Sequence, residues 1–282
     1  MKLATIRTAA GTRAVSLDAA SGSLVDLGVS DVGTLLAQPD WRAVVEQADG
    51  EKFDAAAVDF APVVPAPSKV VCVGHNYRNH IREMGREMPS YPTLFTKFAD
   101  CLIGANDTIE KPKETDALDW EVELTIVIGQ TVRRADEESA AAAIAGFTVM
   151  NDISVRDWQF RTIEWTQGKI WGDSTPVGPY LVTPDELPGG VRPELAVSTV
   201  VDGQTMQSDN TADLLFDPVH LVQYISTILP LRPGDLIATG TSAGVGHARD
   251  PKIYLQPGQE VVASIDSLGE CRNTVVEQAC ER

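Results

Sequence analysis

Short apolar runs broken by turn residues dominate this chain, and the two-residue side-chain period of strands recurs more often than the spacing of an amphipathic helix. Over 121–129, Val122, Leu124, Ile126 and Ile128 fall on one face, and Glu121 and Glu123 on the other. That predicts a strand with one face in a core and the other turned toward a polar site. Further strands are predicted at 69–74, 147–152, 177–182, 195–201, 235–239 and 260–265. Helices are predicted at 76–84, stopped by Gly85; at the alanine-rich 137–145; and at 218–229, which opens on Pro218. Ahead of these, apolar runs at 3–8, 13–17 and 22–27 predict a small sheet, followed by short helices near 32–36 and 41–47. Pro62, Pro65 and Pro67 remove backbone donors and fix the chain, which places a boundary between a small domain, 1–65, and a larger one, 66–282. The class is α+β, mainly β, without the regular alternation of a doubly wound sheet.

With 282 residues, 43% of them apolar, the chain can bury a full core. Its formal net charge of -17 argues against nucleic acid or an anionic membrane as partner, since both need a basic surface. It also means that an anionic substrate must find positive charge inside its own site. No apolar run is long enough to span a bilayer and no signal-peptide core follows Met1, so a cytoplasmic protein is expected. Cys72, Cys101, Cys271 and Cys280 form no Cys-x-x-Cys pair and are expected to be reduced, mostly buried thiols.

Glu121 and Glu123 share a strand face about 7 Å apart, and Asp152 on a following segment could complete a set of three hard oxygen donors. Such a set suits Mg²⁺, Mn²⁺ or Ca²⁺ better than zinc or copper; the same spacing also fits the solvated edge of an amphipathic strand. His80 and Glu83 share a helix face, as an acid–base pair or an ordinary surface pair. Arg156 and Gln159 are likewise three apart: both could reach a substrate oxygen, or Arg156 could pair with Asp157 or Glu164. Glycines in 239–246 would let backbone amides and the Thr241 hydroxyl approach an anion, or simply form a tight turn; the Gly-Lys-Ser/Thr end of a P-loop is absent. His75, His220 and His247 carry no local pattern and are read as structural, with His75 left open because it lies close in sequence to this set.

Six segments, taken in order, resemble the fumarylacetoacetate hydrolase family: Gly-His-Asn-Tyr-Arg-Asn-His at 74–80 with Glu83; Pro-Thr-Leu-Phe-Thr-Lys at 92–97; Trp-Glu-Val-Glu-Leu at 120–124; Asn-Asp-Ile-Ser-Val-Arg-Asp-Trp-Gln at 151–159; Gln-Gly-Lys at 167–169; and Gly-Asp at 234–235 with 239–246. Ser242 stands where many members have proline. The resemblance implies a mixed β-sandwich roll for 66–282, a small N-terminal α/β domain found in part of the family, a homodimer, and Mg²⁺ or Mn²⁺ held by Glu121, Glu123 and Asp152. It further implies a His80–Glu83 base pair on a lid that orders on substrate binding, and Lys169 beside the metal. Arg156, Gln159 and Thr241 would be substrate contacts, and Tyr77 would close the pocket or simply pack.

Family members act on small 2-keto or 1,3-diketo acids. The leading expectation is a metal-dependent hydrolase that cleaves a C–C bond in an acylpyruvate-like 2,4-diketo acid, with His80 and Glu83 activating water. Oxaloacetate decarboxylase, oxaloacetate tautomerase or 2-hydroxy-dienoate isomerase activity on the same metal site is the alternative. A reading from another class is a binding protein whose carboxylates, with their metal, only hold the fold together.

Overall fold

The computed structural model describes residues 1–278; Cys280 lies outside them, and Cys72, Cys101 and Cys271 are free and buried. One large mixed sheet organises the chain. From its N-terminal edge it runs through Lys52–Asp54, Ser23–Asp26, Gly11–Leu17 and Lys2–Thr8, then Thr175–Val182, Ile144–Asn151, Val122–Ile128, Leu236–Thr241, Val70–Gly74 and Thr93–Lys97. Neighbours on this path are antiparallel except Leu236–Thr241 with Val70–Gly74. A second sheet of five strands, Gln204–Asn210, Ala196–Val201, Glu260–Ile265, Gly269–Glu277 and Ile109–Lys111, completes the mainly β, α+β architecture. Among the described residues no helix is long and apolar enough to cross a membrane.

The central strand Val122–Ile128 departs from its sequence pattern in an instructive way. All seven residues are buried, so its polar face is not open along its length. Val122, Leu124, Ile126 and Ile128 pack with Val197, Ala263 and Ile265 of the second sheet and with Val219, Leu221, Val222 and Ile225 of the helix Pro218–Ile228. Val127, on the Glu123 face, enters a different core with Leu35 and Leu36 of the helix Val32–Leu36 and Trp41 of the helix Trp41–Glu46. The N-terminal segment therefore covers the second face of the sheet. The proline-rich stretch lies against it too: Val63 and Val64 are buried, and Val63 N donates to Val177 O at 3.2 Å.

Local chemistry sets the helix ends. Asp217 caps Pro218–Ile228 by accepting from the amides of Val219 and His220, with Pro218 where its missing N–H costs nothing. The helix expected over 76–84 is shorter, Arg78–Glu83. Asn76 is held out of it: its side chain donates to Phe216 O and Thr239 O and accepts from Phe216 N, while Tyr77 is extended and bridges to Leu214. Gly85 stops the helix at φ 64°, a left-handed conformation that favours glycine.

Candidate metal centre and active-site pocket

Antiparallel register assembles the carboxylates. Val122 pairs with Asn151 and Glu123 with both Met150 and Thr241, so the start of one strand meets the ends of two others. Glu121 and Asp152, just outside their strands, are locked together: Asp152 N donates to Glu121 O at 2.8 Å, and Glu121 N donates to Asn151 Oδ1 at 3.0 Å. Gly240 N donates to Glu123 Oε2 at 2.8 Å, from a backbone with φ 98° that packs against Val73 O and Asn76. Glu121, Glu123 and Asp152 are all buried, and one oxygen from each lies within 4.8 Å of the others.

Three buried cations answer them. Lys169 Nζ donates to Glu121 Oε2 and Asp152 Oδ2, each at 2.8 Å. Gly168 makes this possible, because a Cβ there would sit 2.4 Å from Gln159 Cβ and push the turn carrying Lys169 away. Arg156 reaches Asp119 Oδ2 at 2.8 Å, Glu121 Oε1 at 2.7 Å and Gln159 Oε1 at 2.8 Å. Its structural partners are thus Asp119 and Glu121, not Asp157, which accepts from Thr115, nor Glu164. Lys97 Nζ donates to Thr175 Oγ1 (2.8 Å), Ile153 O (3.1 Å) and Lys169 O (2.5 Å). It also lies 2.9 Å from Asp152 Oδ1, close enough for Coulomb attraction but misaligned for a hydrogen bond, so that oxygen has no hydrogen-bond partner.

Four carboxylates, counting Asp119, against three cations leave the cluster one negative charge in excess. The excess falls on Glu123. Burial, then Asp152 and Glu121, push its carboxyl well above the usual range. Burial also pushes Glu121 up, but Lys169 and then Arg156 overcome it and hold Glu121 down at about 2. Burial works against the charge of Lys169 too, and Asp152 and Glu121 outweigh it, holding the ammonium protonated. A hard-oxygen set of three buried carboxylates, with an Asp152 oxygen that has no hydrogen bond and a Glu123 that cannot easily ionise beside its neighbours, fits a divalent cation.

A pocket opens onto Glu121 and Glu123. His80 lines it, with Nδ1 3.0 Å from Glu83 Oε2, and Glu83 in turn accepts from Gly244 N at 3.2 Å. Arg156, Gln159, Lys169 and Thr241 also line it, so most of the predicted site residues share one cavity. Tyr77 does not line it; its ring is fully buried in the core beneath. Thr241 has both hydroxyl roles occupied, donating to Val122 O at 2.9 Å and accepting from Gln207 Nε2 at 2.8 Å.

Sequence reasoning missed four contributors. Lys97 fell inside a quoted segment but received no role, and Asp119 was not singled out although it anchors Arg156 and accepts from the amides of Gly246 and His247. His75, left open and given no role, and His247, read as structural, both line the pocket. His247 packs on Phe160 with ring centroids 5.0 Å apart, and burial, then Arg156 and Lys252, hold its pKa down. His220 is the one that stays outside, stacked on Phe216. The available signal for His75 was its place directly after the strand Val70–Gly74.

The model of the C-terminal fumarylacetoacetate (FAA) hydrolase domain matches residues 69–276. Oxaloacetate tautomerase FAHD2A, mitochondrial, of Bos taurus is 42% identical over 221 residues, 78% of this chain and 70% of the relative. Two solved structures superpose over 99% of this chain and 100% of their own. One is a fumarylacetoacetate hydrolase from Exiguobacterium antarcticum, at TM-score 0.86 and 31% identity. The other is a 5-carboxymethyl-2-hydroxymuconate delta-isomerase from Mycobacterium smegmatis, at TM-score 0.80 and 30% identity. With a family domain matched across most of its length and its carboxylate cluster built at the strand ends within that match, this chain belongs to the fumarylacetoacetate hydrolase family of enzymes.

Proposed function

We propose that this enzyme uses Mg²⁺ or Mn²⁺ to interconvert the keto and enol forms of a small 2-keto dicarboxylate of the oxaloacetate type. The observation that carries this reading is a single acid–base pair, His80 with Glu83, facing the same pocket as the buried carboxylate triad. Glu121, Glu123 and Asp152 would hold the cation, which would supply positive charge for the 2-keto carboxylate and for negative charge developing on the keto oxygen. Glu83 as a carboxylate only accepts, so His80 Nδ1 carries the hydrogen between them and Nε2 is the basic nitrogen. In the enol-to-keto direction the carbon next to the enol carbon gains a proton and the enol oxygen loses one. No C–C bond breaks and no water is consumed, so one positioned imidazole suffices. Similarity to the bovine oxaloacetate tautomerase supports the same chemistry.

Hydrolysis of an acylpyruvate is the second reading, favoured by similarity to the Exiguobacterium hydrolase. His80 would then take a proton from water attacking the distal carbonyl, and the electrons of the broken C–C bond would flow into the enolate. A homodimer belongs to this proposal, with exposed Phe98, Phe160 and Ile163 among the side chains a second copy would cover. The deciding experiment follows enol-oxaloacetate by ultraviolet absorbance and acylpyruvate by pyruvate release, each with and without Mg²⁺. Metal-dependent ketonisation without pyruvate release is the expected result; pyruvate from acylpyruvate with no effect on enol-oxaloacetate would overturn it in favour of the hydrolase.

A further inference from the structure

The pocket contains nitrogen groups that the chemistry above leaves unused. Lys169 and Arg156 are each engaged by two carboxylates, and His80 Nδ1 is engaged by Glu83. His75 differs: both of its ring nitrogens are buried, neither has a hydrogen-bond partner, and the ring lines the cavity. It is also held in place. Its backbone sits at φ 55°, and its ring meets Trp165 edge to face, with centroids 5.1 Å apart. Trp165 itself lies on Gly74, where a Cβ would come within 2.3 Å of the indole. A polar ring fixed this firmly, with two unsatisfied nitrogens in a side chain that lines a cavity, is a costly arrangement unless a ligand satisfies them.

Arg86 lines the same pocket from an exposed position, and its side chain makes no ion pair or hydrogen bond among the described residues. Its charge is felt at His75: burial first, then Arg86 and His80, hold that imidazole down at about 4, so at neutral pH His75 is an uncharged donor and acceptor beside a free cation. In a chain of net charge -17, a free cation at the pocket is where a second anionic group would be drawn.

Resting on the tautomerase reading for the class of substrate, we propose that His75 and Arg86 bind the carboxylate of a 2-keto dicarboxylate that lies remote from the keto group. They would thereby set a preference for diacids over monoacids. Arg86 supplies the charge and His75 one hydrogen bond of fixed direction; a monocarboxylic keto acid leaves both unused.

The test uses the full chain loaded with Mg²⁺ and three unreactive probes in calorimetric titrations. Malate carries the second carboxylate, lactate lacks it, and oxalate has no group that extends beyond the chelating end. Wild type is expected to bind malate roughly tenfold or more tighter than lactate, the scale of one charge-assisted contact. His75→Phe keeps an aromatic ring against Trp165 and removes two nitrogens that have no partner, and Arg86→Gln, which changes only an exposed side chain, repeats the test at a site where folding is not at stake. Each should collapse the malate preference while oxalate binding stays within about twofold. A wild type without malate preference, or variants that retain it, would overturn the proposal. An intact malate preference that both variants abolish, in an enzyme that does not ketonise oxaloacetate, would sink the tautomerase reading and leave this inference standing.

Discussion

The two walls of the pocket are built on opposite principles. At the strand ends, Lys97, Glu123, Asp152 and Lys169 are each no more than 1% exposed, and every charge is tied to at least one residue distant in sequence. Over residues 80–86 the acid–base pair sits at the far end of a helix of only six residues that leads into a glycine, and its tie to the loop at 239–246 is the Gly244 amide shared at long range between the two Glu83 oxygens. The first wall fixes charge where the surrounding low dielectric makes it strong, and it gains that rigidity from strands whose fully buried Val122, Leu124 and Ile126 contribute about 1.5–3 kcal/mol each. The second carries the groups that must exchange protons and admit substrate. Orientation and proton transfer are thus separated between a rigid half and a lightly held half.

Breaking each half should therefore produce different damage. Lys97→Met keeps the side chain's length but leaves Asp152 Oδ1, two carbonyls and Thr175 without their ammonium; the expected cost is about 3–5 kcal/mol of stability, read from urea unfolding. His80→Ala should instead lower kcat by roughly 10²-fold or more while the unfolding midpoint moves little. Should Lys97→Met leave stability intact, or His80→Ala unfold the protein, the division of labour between the walls is wrong.

A smaller effect tests the charge excess on Glu123. Its folded pKa is raised, so in metal-free protein the folded state holds a proton that the unfolded chain releases near the ordinary glutamate value of 4.5; stability must fall as pH rises from there. Glu121 has the opposite sign: held at about 2, it contributes stability that is complete above about 4.5 and is lost as pH falls toward 2. Glu123→Gln should flatten the decline above pH 4.5 in metal-free protein. It should also remove most of the stabilisation that Mg²⁺ gives the wild type, about 2.7 kcal/mol at a hundredfold excess over Kd. Thermal unfolding across pH, with and without Mg²⁺, reads both. A wild type whose metal-free stability is flat from pH 5 to 8 would rule out the crowding argument.

How much of this was legible depends on the reach of each interaction. The helix Pro218–Ile228 and the strand Glu260–Ile265 announce themselves through local capping and period, and the Glu-x-Glu spacing follows from strand geometry alone. The burial of both faces of Val122–Ile128 does not, because the helices that cover the Val127 face come from the first 46 residues. Lys97 and Asp152 are 55 residues apart and meet through the packing of separate strands, which no local pattern encodes. Asp119 likewise outcompeted Asp157 for Arg156, although Asp157 is adjacent in sequence, since Thr115 holds the Asp157 carboxylate elsewhere. His75 was left open, without a role, because a lone histidine looks the same whether its nitrogens are satisfied or not.

The finest test of the division concerns Thr241, which sits where the two walls meet, paired with Glu123 on the sheet and lining the pocket. Its hydroxyl already donates to Val122 O and accepts from Gln207 Nε2, so it belongs energetically to the rigid half. Thr241→Val conserves shape and deletes both bonds, leaving a buried carbonyl and a buried amide short of a partner; the expected loss is about 1–2 kcal/mol of stability. KM should change by less than about threefold, because a hydroxyl with both roles filled has little left to offer a substrate. A tenfold rise in KM with an unchanged unfolding midpoint would mean that the hydroxyl turns toward the ligand when one arrives. Thr241 would then belong to the responsive half, and the border between the two would have to be redrawn through the sheet itself.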